Sequence, residues 1–161
     1  KLNLNRLNKI KLHTPEISEY TSVIAKENKI RNILKKFQKN FAKKYNKVCI
    51  EGRDIGTVIL PNADIKFFFK CDLSTAAKRR FKELKKNNKN INLLNIKKSL
   101  KIRNYRDKTR KNSPLLASPD AIIVDTGKLN NVPDMINKMS KIVLKKVKEK
   151  YGNWSTNKKS I

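Results

Sequence analysis

The stretch that decides the fold is Lys47–Phe69, KVCIEGRDIGTVILPNADIKFFF. Within it, Val48–Ile50 and Ile65–Phe69 are apolar runs too short for a helix and rich in β-branched or aromatic residues, so both read as buried strands. Neither alternates apolar with polar side chains. Strands of that kind belong to a parallel sheet covered by helices on both faces, and such sheets bind ligands just past the carboxyl ends of their strands. Gly52, Arg53 and Asp54 fall at such an end. Gly52 permits a sharp exit, Arg53 offers a rigid fork of donors that fits a phosphate, and Asp54 offers acceptors for an amino group. A surface turn on which an Arg and an Asp neutralise each other would use the same residues, and the tripeptide alone leaves both readings open.

Working outward toward the amino end, Thr14, Pro15 and Glu16 predict a helix start, with Thr14 as cap, Pro15 in the first turn and Glu16 at the positive pole. Ile17, Tyr20, Thr21 and Ile24 line one face of this helix, and Ser22 lies near its end. Arg31 opens a second amphipathic helix whose stripe, Ile30, Ile33, Leu34, Phe37 and Phe41, is expected to be buried. Residues 1–12 alternate Leu2, Leu4, Ile10 and Leu12 with polar residues, as the end of a small antiparallel hairpin does.

Toward the carboxyl end, Asp72 or Ser74 caps a predicted helix through Ala76, Ala77, Arg79, Arg80, Phe81 and Leu84, followed by a polar break, KKNNKNIN, at Lys85–Asn92. Leu93, Ile96 and Leu100 then form an apolar stripe, and the same spacing continues into Arg103, Asp107 and Arg110, with Arg106 beside them. A stripe that turns charged in its last two turns either emerges into solvent or closes over a charged ligand, because burying unpaired charge is costly. Pro114 and Pro119 break the helix, Ala121–Val124 predicts a third buried strand ending at Asp125 and Thr126, and Leu129–Val147 predicts a closing helix. Its Met135, Ile136, Met139, Ile142, Val143 and Val147 are expected to pack in the core. The tail after it has no periodicity, and Trp154 has no evident partner.

Composition bounds the partners. Among 161 residues the formal net charge is +27, which invites nucleic-acid binding. The basic residues are 32 Lys to 8 Arg, however, and Asn and Ile are abundant too. An A/T-rich coding bias raises all three together. The long Lys-rich stretch Lys82–Lys101 also holds no aromatic on which a base could stack. Where Lys is the default cation, Arg marks positions that need planar, bidentate geometry, and all the arginines but Arg6 fall in segments that could face one cleft. Cys49 and Cys71 have no metal-ligand spacing and read as reduced core thiols. No apolar run is long enough to span a bilayer and no signal sequence opens the chain, so no membrane contact and a cytoplasmic setting are expected.

The central segment EGRDIGTVILPNADIKFFF resembles bacterial cytidylate kinases, in which G-R-D-[IM]-G-T-V-x-[FL]-P-x-A joins two core strands. TPEISEYTSVIAKENKIRNIL (Thr14–Leu34) and IRNYRDKTRKNSPLLASPDAIIVDT (Ile102–Thr126) match the same family in the same order, so the resemblance covers most of the chain from about Leu12 to Lys145. It implies phosphoryl transfer from ATP to CMP or dCMP, with Mg²⁺, in pyrimidine-nucleotide metabolism. Carried over residue by residue, Arg53 holds the acceptor phosphate; Ser22, Arg31 and Asp54 face the cytosine; Arg103 and Asp107 hold the pentose; Arg110 contacts the nucleotide. Arg106, Arg79 and Arg80 are lid candidates for the transferring phosphates, Arg53, Arg106 and Arg110 being the catalytic set, and no residue is assigned to a metal. His13 stands where the family has Arg, and the Arg expected near Ala76 is gone.

The family also needs a glycine-rich loop with Lys and Ser/Thr, and none of Gly52, Gly56, Gly127 and Gly152 opens one. The expected fold is therefore an α/β nucleoside-monophosphate-kinase fold, a parallel sheet flanked by helices, lacking its first strand and P-loop, with ATP and Mg²⁺ bound through a loop upstream. The expected organisation is the end of a monophosphate-binding insert at 1–27, a core at 28–149 with a lid around 79–112, and a flexible tail at 150–161. A monomer that takes a small-molecule substrate, and by itself turns over little or none, is the working expectation. The alternatives are a basic nucleic-acid-binding module and a nucleotide kinase of different base specificity.

Overall fold

The computed structural model describes residues 14–45, 47–86, 90–128 and 131–152. The amino-terminal alternation, His13 and the tail from 153 onward lie outside the described residues. Thr14 caps α1 (Pro15–Ile24) by accepting the Ile17 N–H at 3.2 Å, as predicted. A short turn leads into α2 (Asn28–Lys44). The central stretch then forms one π-helical turn at Ile55–Ile59 before β1 (Phe67–Lys70). Asp72 caps α3 (Leu73–Lys85) through the Thr75 N–H at 2.8 Å, and Asn92 caps α4 (Leu93–Thr109). The chain continues through β2 (Ile122–Asp125), a 3₁₀ turn at Thr126–Lys128, and α5 (Val132–Tyr151), which Asn131 caps.

β1 and β2 pair in parallel, in register from Phe67 opposite Ile122 to Lys70 opposite Asp125. Their carboxyl ends therefore lie side by side. α3 and α4 pack on each other, α1 lies on α4, and α2 touches the π-helical turn. α5 is tied to the loop before β1, where Lys150 pairs with Asp64 and the Tyr151 hydroxyl donates to the same carboxylate at 3.2 Å.

Several expectations about packing are corrected. Val48–Ile50 joins no sheet, because a strand is held by a neighbour's ladder and β1 pairs only with β2 among the described residues. Cys49 is consequently exposed and Cys71 only half-buried, so neither is a core thiol. The stripe of α2 faces outward, with Phe37 60% exposed and Ile33, Leu34 and Phe41 beside it. On α1, Tyr20 and Ile24 are exposed and Ser22 is buried, so the packed face is the small polar one that meets α4. None of α5's side chains is fully buried either. Periodicity marks which face is apolar; it does not supply the element that covers it.

The described core is correspondingly small. Ile59, Ala77, Ile96 and Val124 are its buried apolar residues, and they are matched by an equal number of buried polar ones, Ser22, Asp54, Asp107 and Ser118. Ile96→Ala is expected to cost about 2–4 kcal/mol, whereas Phe37→Ser should stay within about 0.5 kcal/mol, both read from urea midpoints. A large loss for Phe37→Ser would show that the α2 stripe is covered in solution.

Candidate functional site

The site begins where the chain bends at Gly52. A Cβ at Gly52 would stand 2.8 Å from Ile55 Cγ1, so a larger residue there would require the Ile55 side chain to shift. Two residues on, the Asp54 carbonyl accepts the N–H groups of Val58 at 2.9 Å and Ile59 at 3.3 Å, and the buried Ile59 anchors the turn. Asp54 is thereby fixed at the mouth of the turn, with its own carboxylate buried.

Three other segments bring cations to it. Arg31, in the first turn of α2, donates to the Ala25 carbonyl at 3.2 Å and pairs with Asp54 Oδ2. Arg103 and Asp107 project from the end of α4, where Arg103 Nε lies 3.9 Å from Asp107 Oδ2. Arg53 Nε approaches the same oxygen at 3.4 Å. Arg110, just past α4, spans both carboxylates, 3.5 Å from Asp107 Oδ1 and 3.8 Å from Asp54 Oδ1. Its Nε donates to the Ser113 carbonyl at 2.5 Å, and Ser113 adopts the left-handed conformation (φ 53°) in the turn that returns this carbonyl. The Leu115 N–H closes on the Asp107 carbonyl at 2.7 Å.

Four guanidinium groups thus surround two buried carboxylates, an excess of two positive charges, with Arg53 and Arg103 still about one-third exposed. The side chains of Asp107 and Arg110 are 5% and 6% exposed. The charge crowding is felt by the arginines themselves. Burial pushes Arg53 below the ordinary guanidinium range and Arg103 adds to this, with Asp107 opposing; Arg110 is likewise lowered by burial and then by Arg31. Most of the ion pairs are longer than hydrogen bonds, and Asp107 Oδ2 and one terminal nitrogen of Arg110 are buried without a hydrogen-bond partner. Donors left over at a concentration of positive charge suit an anion, above all one with planar or tetrahedral oxygens that Arg forks can share.

At the rim, Arg106 Nη1 donates to Ser22 Oγ at 3.1 Å and lies 3.8 Å from Glu19, while Ser22 donates to the Glu19 carbonyl. Beside them runs an open groove of about 240 Å³ between α1 and α4, lined by Ser18, Ser22, Asn95, Ser99, Arg103 and Arg106. Arg31, Arg53, Asp54, Arg103, Asp107 and Arg110 therefore form one contiguous set, and Ser22 and Arg106 adjoin it across the groove that Arg103 also lines. Arg79 and Arg80 are elsewhere. Arg79 reaches Thr126 after β2, donating to its carbonyl at 2.6 Å, and Arg80 pairs with Glu83. Of the arginines in segments that could face one cleft, Arg79 is thus held at the end of β2, apart from the two carboxylates. The carbonyls of Ala25 and Ser113 also orient Arg31 and Arg110, and a backbone acceptor leaves no residue-type signal in a sequence.

A sequence profile described as cytidylate kinase matches residues 2–145. A cytidylate kinase of Clostridium botulinum (strain Okra / Type B1) is 40% identical over 134 residues, covering 83% of this chain and 61% of the relative. One from Bartonella tribocorum is 42% identical over 129 residues, 80% of this chain and 60% of the relative, and one from Thermosipho melanesiensis is 37% identical over 137 residues, 85% and 62%. The chain thus spans about three fifths of the length of the curated relatives it matches. With the profile covering nearly its whole length, the chain belongs to the cytidylate kinase family.

Proposed function

We propose that the protein is a (d)CMP kinase in which this chain supplies the acceptor-nucleotide side of the site. The observation that carries this is the convergence of Arg31, Arg53, Arg103 and Arg110 on Asp54 and Asp107 with two positive charges in excess. A phosphomonoester carries about 1.5–2 negative charges near neutrality, which offsets that excess. Arg53 and Arg110 take the phosphate oxygens, exchanging long ion pairs for short charge-assisted hydrogen bonds. Asp54 accepts from the exocyclic amine of cytosine, while Arg31 and Ser22 face the rest of its edge. Asp107, steadied by Arg103, accepts from the pentose hydroxyl, and Arg106 swings from Ser22 and Glu19 toward the transferred group. Catalysis by these residues is positioning and charge neutralisation, without a covalent intermediate.

ATP and Mg²⁺ are the donor and metal we propose for the whole reaction, as is general in phosphoryl transfer of this kind. The residues present do not fit them. No glycine-rich loop ending in Lys and Ser/Thr occurs in the sequence, and no group of three or more His, Cys, Asp or Glu side chains comes together among the described residues. No step is therefore assigned to ATP or the metal here. We further propose the organisation into the end of a monophosphate-binding insert (1–27), a core (28–149) with a lid around 79–112, and a tail (150–161). The chain as it stands binds CMP without turning it over, as a monomer and in the cytoplasm.

Calorimetric titration tests this. CMP should bind, and Arg53→Ala should lose about 1.5–3 kcal/mol, roughly 10- to 150-fold in affinity, while Lys145→Ala on the exposed face of α5 changes nothing. Equal binding of CMP and cytidine would overturn the assignment of the phosphate to Arg53. Asp54→Asn should erase most of the preference for CMP over UMP, measured in the same way. Tight, steeply salt-dependent binding of arbitrary duplex that survives Arg53→Ala would favour the nucleic-acid alternative.

A further inference from the structure

Lys66, just before β1, has no part in the cluster, yet its side chain is only 7% exposed, which is rare for lysine. Its ammonium donates to the Pro61 carbonyl and to both oxygens of Asp120, at 2.9 and 2.7 Å. Its stem runs along the π-helical turn. A Cβ on Gly56 would stand 3.3 Å from Lys66 Cδ and 3.6 Å from Ser118 Oγ, so glycine at that position lets stem and loop close on the turn. Through its backbone, the Lys66 carbonyl accepts the Ile122 N–H at 2.8 Å, just ahead of the first β1–β2 register pair.

One side chain thus grips the segment 56–61 at both ends and fastens it to the loop that delivers β2. That segment hangs from Asp54, whose carbonyl accepts the Val58 and Ile59 amides and whose carboxylate holds Arg31 and Arg110. We propose that Lys66 and Asp120 are positioning residues, a clamp that holds the turn from which Arg53 and Asp54 are aimed. As a determinant of nucleotide binding this rests on the acceptor-site reading above. An exposed ion pair contributes little by itself, and Asp120 and Pro61 both face solvent; what the buried lysine stem adds is a tether between two loops, so losing the ammonium frees segment 56–61 from the loop before β2.

Hydrogen exchange and CMP titration on the 161-residue chain test the clamp. Lys66→Met keeps the stem and removes the charge. It should speed exchange of the Val58, Ile59 and Leu60 amides by about 10-fold or more, leave the amides of α3 and α4 unchanged, and weaken CMP by about 10-fold. Lys66→Arg should restore both to within about 3-fold. In an Arg53→Ala background, Lys66→Met should cost clearly less than it does alone, since only the aim of Asp54 is then left to lose. Unchanged exchange at residues 58–60, or losses that multiply in the double variant, would overturn the proposal. Should Lys66→Met fail to fold, Asp120→Asn decides by the same two readouts, with faster exchange at 58–60 expected and none overturning the clamp. Absence of CMP binding by the wild-type chain would instead overturn the acceptor-site assignment, leaving the exchange rates to decide the clamp.

Discussion

Asp54 and Asp107 are buried carboxylates, and a buried carboxylate must be surrounded by donors or charge of opposite sign. No single segment provides these. Asp107 takes Arg103 from its own helix, Arg110 from the turn after it and Arg53 from the central stretch, while Asp54 takes Arg31 from α2 and shares Arg110. Arg110, hardly exposed and in reach of both, couples the two halves. The same cationic surplus that would destabilise an isolated cluster is what suits it to an anion, as the proposed function requires. Pre-placed guanidinium groups in a poorly solvated site also bind phosphate with little reorganisation, which is what a reaction governed by positioning requires.

The packing around this cluster is thin. A parallel sheet is ordinarily covered on both faces, yet Phe69 and Ile123 are about half exposed and the described sheet has two strands. With few apolar residues buried, polar links carry much of the long-range connectivity: Arg31 to Asp54, Arg106 to Ser22, Lys66 to Asp120, Lys150 to Asp64. Such links specify geometry more than they add stability, and several join residues far apart in the chain. They also leave α2 with its apolar face outward and α5 with a stripe that is only half-buried.

Much of this was legible before any coordinates. Thr14 and Asp72 cap the helices predicted for them, because cap chemistry is local. The charged end of the stripe in α4 does close into the protein, as the high cost of unpaired buried charge allowed, and the scarcity of Arg beside abundant Lys pointed to most of the convergent set. The GRDIGT stretch placed the turn correctly, although what crowds Gly52 is the Ile55 side chain and not a left-handed backbone.

What the sequence determined by itself is whatever depends on residues a few positions apart: caps, helical faces, the turn after Gly52, and the family motifs that run through it. Only the tertiary structure decided which apolar faces are covered, that Val48–Ile50 finds no ladder, that Arg79 leaves the cluster for Thr126, and that Lys66 reaches Asp120. Each of those depends on which distant segment comes alongside, and a side chain's type and spacing state its capacity for a contact without naming the partner that arrives.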